Sequence, residues 1–365
     1  MGYTTFTRNS PAIKFLSQIS QPIALDTSKQ DRVLTQNTEP NLDHDSEQDS
    51  QLPATDDAQP AFANHPIGTP PQSPPKGGYL TRLLIFLALA FGVAPAIVGT
   101  LVRIFHASFS TVDPVTLLWL DAGNFAFILA LSAAMAVFEH RQVGDYGLPL
   151  REVFQKKFWL GIVFGLAEAS LLIGLIAALG GYSFGPLALS GTEILRWGFL
   201  HLLLFLFVGL YEEFLFRGYL QFALSQLIGF WPAAALLSVG FGFVHLANQG
   251  EDWVGALSVA IVGLFFAFTL KRTGNLWYAV GLHMSFDWAE SFLYSAPDSG
   301  EVLRGHLSYA LLHGPKWLTG GSVGPEGSVF CFLTMGLQFL VVVWLFPKKP
   351  ATSPSQLASP ATQTQ

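Results

Sequence analysis

The segment Val208-Gly209-Leu210-Tyr211-Glu212-Glu213-Phe214-Leu215-Phe216-Arg217-Gly218 sets the architecture of the whole chain. It closes an apolar run that starts near residue 196 and is long enough to cross a bilayer, which takes about 20 helical residues. An ionisable side chain at mid-membrane costs roughly 2.5–3.5 kcal/mol on insertion scales, so each one must be compensated or put to use. Glu213 and Arg217 are four apart, share a helix face and can pair. Glu212 points about 100° away from that face and has no cation at helical spacing. An uncompensated carboxylate of this kind is suited to act as a general base, and as an acid later in the same cycle.

Outward from this run, seven further apolar segments follow one another, near 79–102, 115–138, 158–180, 231–248, 253–270, 275–294 and 328–346. With 196–218 they predict an all-α membrane protein, a polytopic bundle of about eight transmembrane helices. Composition agrees: 51% of the 365 residues are hydrophobic and 12% are charged, about half the charge of a soluble domain. Mean hydropathy is +0.42 and the pI is near 5.8. With a net charge of -6 the chain offers no basic surface for a polyanion, so no nucleic-acid partner is expected. Cys331 is the single cysteine, which excludes an intramolecular disulfide and a thiolate metal cluster; it reads as a packing residue.

Three regions are expected. Residues 1–78 form a polar tail rich in Gln, Asp, Ser, Thr and Pro, predicted to be disordered because it cannot bury enough apolar surface to offset its ordering entropy. Residues 79–347 form the helical domain, with its core motifs in 158–292. Residues 348–365 form a second disordered tail. Lys and Arg accumulate on the cytoplasmic side of membrane proteins. Lys76, Arg82, Arg141, Arg151, Lys156, Lys157, Lys271, Arg272, Lys348 and Lys349 fall on one side of an eight-span topology, whereas Asp113, Glu193, Glu251, Asp252, Asp298, Glu301 and Glu326 fall on the other. That bias predicts both termini in the cytoplasm of an integral membrane protein, with a bacterial plasma membrane as the expected location. Between Tyr146 and Phe158, an interfacial amphipathic helix and a polar loop both fit.

Membrane-embedded ionisable residues concentrate in three of the eight spans. Besides Glu212, Glu213 and Arg217, the fifth span ends Phe241-Gly242-Phe243-Val244-His245-Leu246-Ala247-Asn248. Asn248 lies on nearly the same face as His245 and is placed either to orient its imidazole or to cap the helix. The seventh span carries Gly281-Leu282-His283-Met284-Ser285-Phe286-Asp287-Trp288, in which His283 and Asp287 share a face. Taken separately none of these features is strong, since His245 reads first as a packing residue and His283 with Asp287 as a self-neutralising pair; their joint occurrence on three spans points to one polar centre.

This ordered set, Glu212-Glu213-x-x-x-Arg217, Phe241-x-x-x-His245 and His283-x-x-x-Asp287, resembles the three motifs of the CPBP intramembrane proteases, which include Rce1-type CAAX prenyl endopeptidases and bacterial Abi or bacteriocin-immunity proteins. The resemblance covers roughly residues 158–292. It implies that Glu212 and His245 activate a water that attacks a peptide carbonyl, that His283 and Asp287 stabilise the oxyanion, and that Glu213 and Arg217 hold the first helix in place. The prenyl-substrate enzymes carry Asn where this chain has Asp287. An ionised aspartate would repel an oxyanion, so Asp287 is expected either to be protonated or to orient His283 by accepting its second N–H. The implied partner is a membrane-associated peptide or protein substrate, alongside the lipid bilayer itself; the oligomeric state is not readable. No metal or cofactor is expected, and zinc, if present, would sit on Glu212, His245 and His283. A non-catalytic immunity or scaffold protein, or a proton-coupled transporter using the same residues as a relay, is the alternative.

Overall fold

A computed structural model describes residues 76–93, 95–96, 113–248 and 250–347. Residues 1–75 and 348–365 of the expected tails, and part of the first span, lie outside the described residues; Lys76, Gly77 and Gly78, placed in the tail by the sequence, instead begin a helix. Nine helices of more than one turn carry the described fold. They are α1 (Lys76–Leu87), α2 (Pro114–Phe138), α3 (Lys156–Ala178), α4 (Thr192–Phe214), α5 (Leu220–Ile228), α6 (Phe230–His245), α7 (Trp253–Thr273), α8 (Trp277–Trp288) and α9 (Val329–Leu345). The helix starts are set by ordinary capping chemistry. Asp113 accepts a hydrogen bond from the Thr116 amide ahead of Pro114, and Asp252 accepts from the amides of Val254 and Gly255.

The chain is an integral membrane protein. The α2 and α3 helices, the continuous run Thr192–Ile228 and α7 are each long and apolar enough to cross a bilayer. Three shorter apolar helices, Gly78–Val93, α6 and α9, accompany them. Trp119, Trp159, Trp231, Trp253 and Trp344 are exposed and stand at or near helix ends, where amphipathic indoles settle at the membrane–water boundary.

Span four breaks at the residue where the sequence ends it. α4 leads into the turn Leu215–Tyr219, which kinks at Gly218, whose φ of -82° and ψ of -118° are not helical. α5 follows at once, so the apolar run Thr192–Ile228 covers 37 residues. Glu212 stands on the α4 side, shortly before that kink. Gly229, at φ 86°, then reverses the chain, and α6 returns against α5. The 16 residues of α6 carry His245 back to the cavity that Glu212 also lines.

Residues 143–152 are not an interfacial helix. They form two short 3₁₀ turns, Val143–Tyr146 and Leu150–Glu152, and Phe154 at φ 52° interrupts any helical continuation. Helices α3 and α8 pack backbone to backbone. A side chain at Gly161 or Gly165 would run into the Tyr278 or Leu282 carbonyl, and one at Gly281 would meet the Phe158 carbonyl. Small residues at membrane helix contacts permit this close approach, and here it fixes the helix that bears His283. After α8 a π turn, Ala289–Leu293, leads into a long connection that pairs Leu311–Leu312 (β2) antiparallel with Tyr182–Ser183 (β1).

At one end of the bundle a buried carboxylate ties four elements together. Glu139 accepts from Arg82 Nη1 at 3.0 Å, Tyr146 OH at 3.0 Å and Tyr219 OH at 3.1 Å. Its side chain is fully buried, whereas Arg82 keeps 21% exposure. Removing one partner of a buried pair costs about 3–5 kcal/mol, and the partial exposure of Arg82 places Glu139→Ala at the low end, about 3 kcal/mol. Thermal unfolding in detergent measures this loss.

Candidate active site

The centre is assembled on α4, α6 and α8. Glu213 and Arg217 form the buried anchor: Arg217 Nη1 donates to Glu213 Oε1 at 3.2 Å, and both side chains are excluded from solvent. The guanidinium lies over the Phe241 ring at 4.3 Å and near Phe216 and Phe266, a cation–π setting that partly replaces lost hydration. Gly263 on α7 leaves room for its Nη2.

His283 is held on every side. Its Nδ1–H donates to Glu213 Oε1 at 3.1 Å. Its Nε2 lies 3.3 Å from Asp287 Oδ2 and 3.7 Å from Glu212 Oε2. The ring stacks on Phe266, with centroids 5.3 Å apart and planes at 18°. Glu213 thus does more than hold its helix, since it also fixes which nitrogen of His283 turns toward the cavity. His245 is oriented by its own helix: Nδ1–H donates to the Phe241 carbonyl at 2.9 Å, and the ring packs edge-on against Phe241. In the neutral ring this leaves Nε2 with a free lone pair. Asn248 makes no side-chain bond to His245; its backbone amide caps the His245 carbonyl at 2.9 Å.

Glu212, His245, Asn248, His283 and Asp287 all line one cavity of about 230 Å³. Glu213 and Arg217 lie behind its wall. The same cavity is lined by Asp121 of α2 and Glu168 of α3. Ionisable groups therefore occupy five apolar segments, two more than the three picked out in the sequence. A lone carboxylate inside an apolar run was the available signal in both cases. Asp298, Glu301 and Glu326, counted above among the acidic outer loops, also reach the cavity.

Glu212, His245 and His283, the donors that zinc would use, do not form a group whose ligand atoms all lie within 4.8 Å of one another. Among the described residues, the one group of three or more donors whose ligand atoms lie within 4.8 Å of one another is a different one, Glu290, Asp298 and Glu326.

These features define a class: a polytopic helical membrane protein enclosing a carboxylate–histidine centre. Residues 194–289 match the family described as Type II CAAX prenyl endopeptidase Rce1-like, which supports assignment of the chain to the CPBP/CAAX proteases and points to a membrane peptidase. The matched stretch contains all three motifs. No curated protein and no solved structure matched the chain.

Proposed function

We propose that the protein is an intramembrane endopeptidase that hydrolyses a peptide bond of a membrane-associated peptide or protein substrate with a water activated by Glu212 and His245. The observation that supports this most directly is the convergence of Glu212, His245, His283 and Asp287 on one cavity. Glu212 takes a proton from the water, while His245 holds that water through the free lone pair of Nε2. The oxygen adds to the scissile carbonyl, and the His283 ring, held in the cavity wall by its two carboxylates, stabilises the developing oxyanion electrostatically. Glu212 then passes its proton to the departing amine, so that one water is consumed and a carboxylate and an amine are released.

Asp287 fits the orienting role better than that of an oxyanion donor. With Glu213 on Nδ1 and Asp287 on Nε2, 3.1 and 3.3 Å away, the two carboxylates fix the turn of the imidazole. Asp287→Asn is expected to lower kcat about 10–100-fold with little change in KM, short of the full 10²–10⁴-fold contribution of a general acid–base group. Unchanged or faster turnover would instead assign Asp287 to oxyanion donation. The donor spacing favours metal-free chemistry. The lysine and arginine pattern favours eight crossings with both termini in the cytoplasm.

The reading is tested by comparing membrane proteomes of cells carrying the wild type and Glu212→Gln. Uncut precursors should accumulate with the variant. Identical peptide profiles, with both proteins present in the membrane, would remove the protease reading.

A further inference from the structure

A second cluster of carboxylates stands beside the centre just described, and no step of the proposed reaction uses it. Glu290 lies in the π turn after α8, and Asp298 and Glu326 lie in the connection between α8 and α9. One oxygen from each comes within 4.8 Å of the others. The backbone builds this approach. The Asp298 and Glu301 amides and carbonyls bond reciprocally at 3.0 and 2.9 Å, and the Gly300 amide donates to the Val323 carbonyl at 2.8 Å. The Ser299 amide donates to Glu326 Oε1 at 3.1 Å.

Glu290 is the side chain that demands an explanation. It is 1% exposed, and neither of its carboxylate oxygens meets a hydrogen-bond donor. The backbone amide of Glu326 approaches it and offsets part of the cost of its charge. Asp298 Oδ2 is likewise buried without a partner. No Lys, Arg or His forms an ion pair with any of the three among the described residues. Like charges this close cannot all stay ionised without a neutralising species, and a buried carboxylate without a partner is costly.

We infer that Glu290, Asp298 and Glu326 bind a hard divalent cation of the Ca²⁺ or Mn²⁺ kind, which clamps the α8–α9 connection against the end of α8. All-oxygen donors select such ions over zinc or copper, and ligand oxygens at the separations seen here suit an ion bound at about 2.3–2.6 Å. Asp298 and Glu326 also line the cavity that holds Asp287. The ion would thus fix that wall of the cavity and moderate the negative field around His283, without itself touching the reacting atoms.

The test uses full-length protein in detergent, stripped with a chelator and titrated with Mn²⁺ while free Mn²⁺ is read by paramagnetic resonance. Thermal unfolding is followed in parallel with Ca²⁺. Wild type should bind about one Mn²⁺ per chain and melt at a higher temperature with Ca²⁺. Glu290→Gln and, separately, Asp298→Asn should weaken Mn²⁺ binding at least about tenfold, since ligand charge count tunes affinity. Glu212→Gln should bind as wild type does, which separates this site from the catalytic one. Three results would overturn the inference: no saturable binding to wild type, binding unchanged in both Glu290→Gln and Asp298→Asn, or binding lost in Glu212→Gln. The first would mean that protons neutralise the cluster, or that a basic group of the substrate does so.

Discussion

Replacing Glu212 by Gln should lower peptide cleavage by about 10²–10⁴-fold, the usual contribution of a general base, and leave the fold in place. The carboxamide matches the carboxylate in shape but cannot accept the proton of the attacking water. The fold should survive because Glu212 keeps 23% side-chain exposure and stands 3.7 Å from His283 Nε2, too far for a hydrogen bond on which stability depends. Single-turnover cleavage of a membrane peptide, read alongside the melting temperature of the same sample, separates the two effects. Turnover within a few-fold of wild type would remove Glu212 from the reaction.

The largest loss of stability should follow Arg217→Ala. Arg217 is 1% exposed and pairs with Glu213, which is 0% exposed; its guanidinium also covers Phe241 at 4.3 Å. Truncation leaves the Glu213 carboxylate buried with His283 as its remaining partner and opens a void beside Gly263. Breaking a buried pair costs about 3–5 kcal/mol. Removing Glu213 as well should restore part of that loss, because no uncompensated charge then remains. The double variant should therefore be less destabilised than the sum of the two single changes. Activity should not return with stability, since Glu213 also takes the Nδ1–H of His283. A melting curve for Arg217→Ala that overlays wild type would show that the pair carries no structural load.

The positions of the helices were legible in the sequence because hydropathy reports directly on what a bilayer accepts. The convergence of Glu212, His245 and His283 was legible for a related reason: costly groups in apolar runs must find one another. The immediate continuation into α5 was not: Gly218 marks the break that the sequence suggests, with a ψ of -118°, but no local pattern announces that a second short helix follows it before Gly229. Asp121 and Glu168 were visible as lone carboxylates, but neither has a partner at helical spacing to draw notice. The meeting of Glu290 with Asp298 and Glu326 was hidden more deeply. It depends on the turn at Ser299, with φ 47°, and on the Gly300–Val323 hydrogen bond, and no local periodicity encodes either.

His283 has a carboxylate against each of its nitrogens, Glu213 on one side and Asp287 with Glu212 on the other. The ring is thus clamped between its own helix and α4, and any slide of α8 along α4 would be felt at the reacting groups at once.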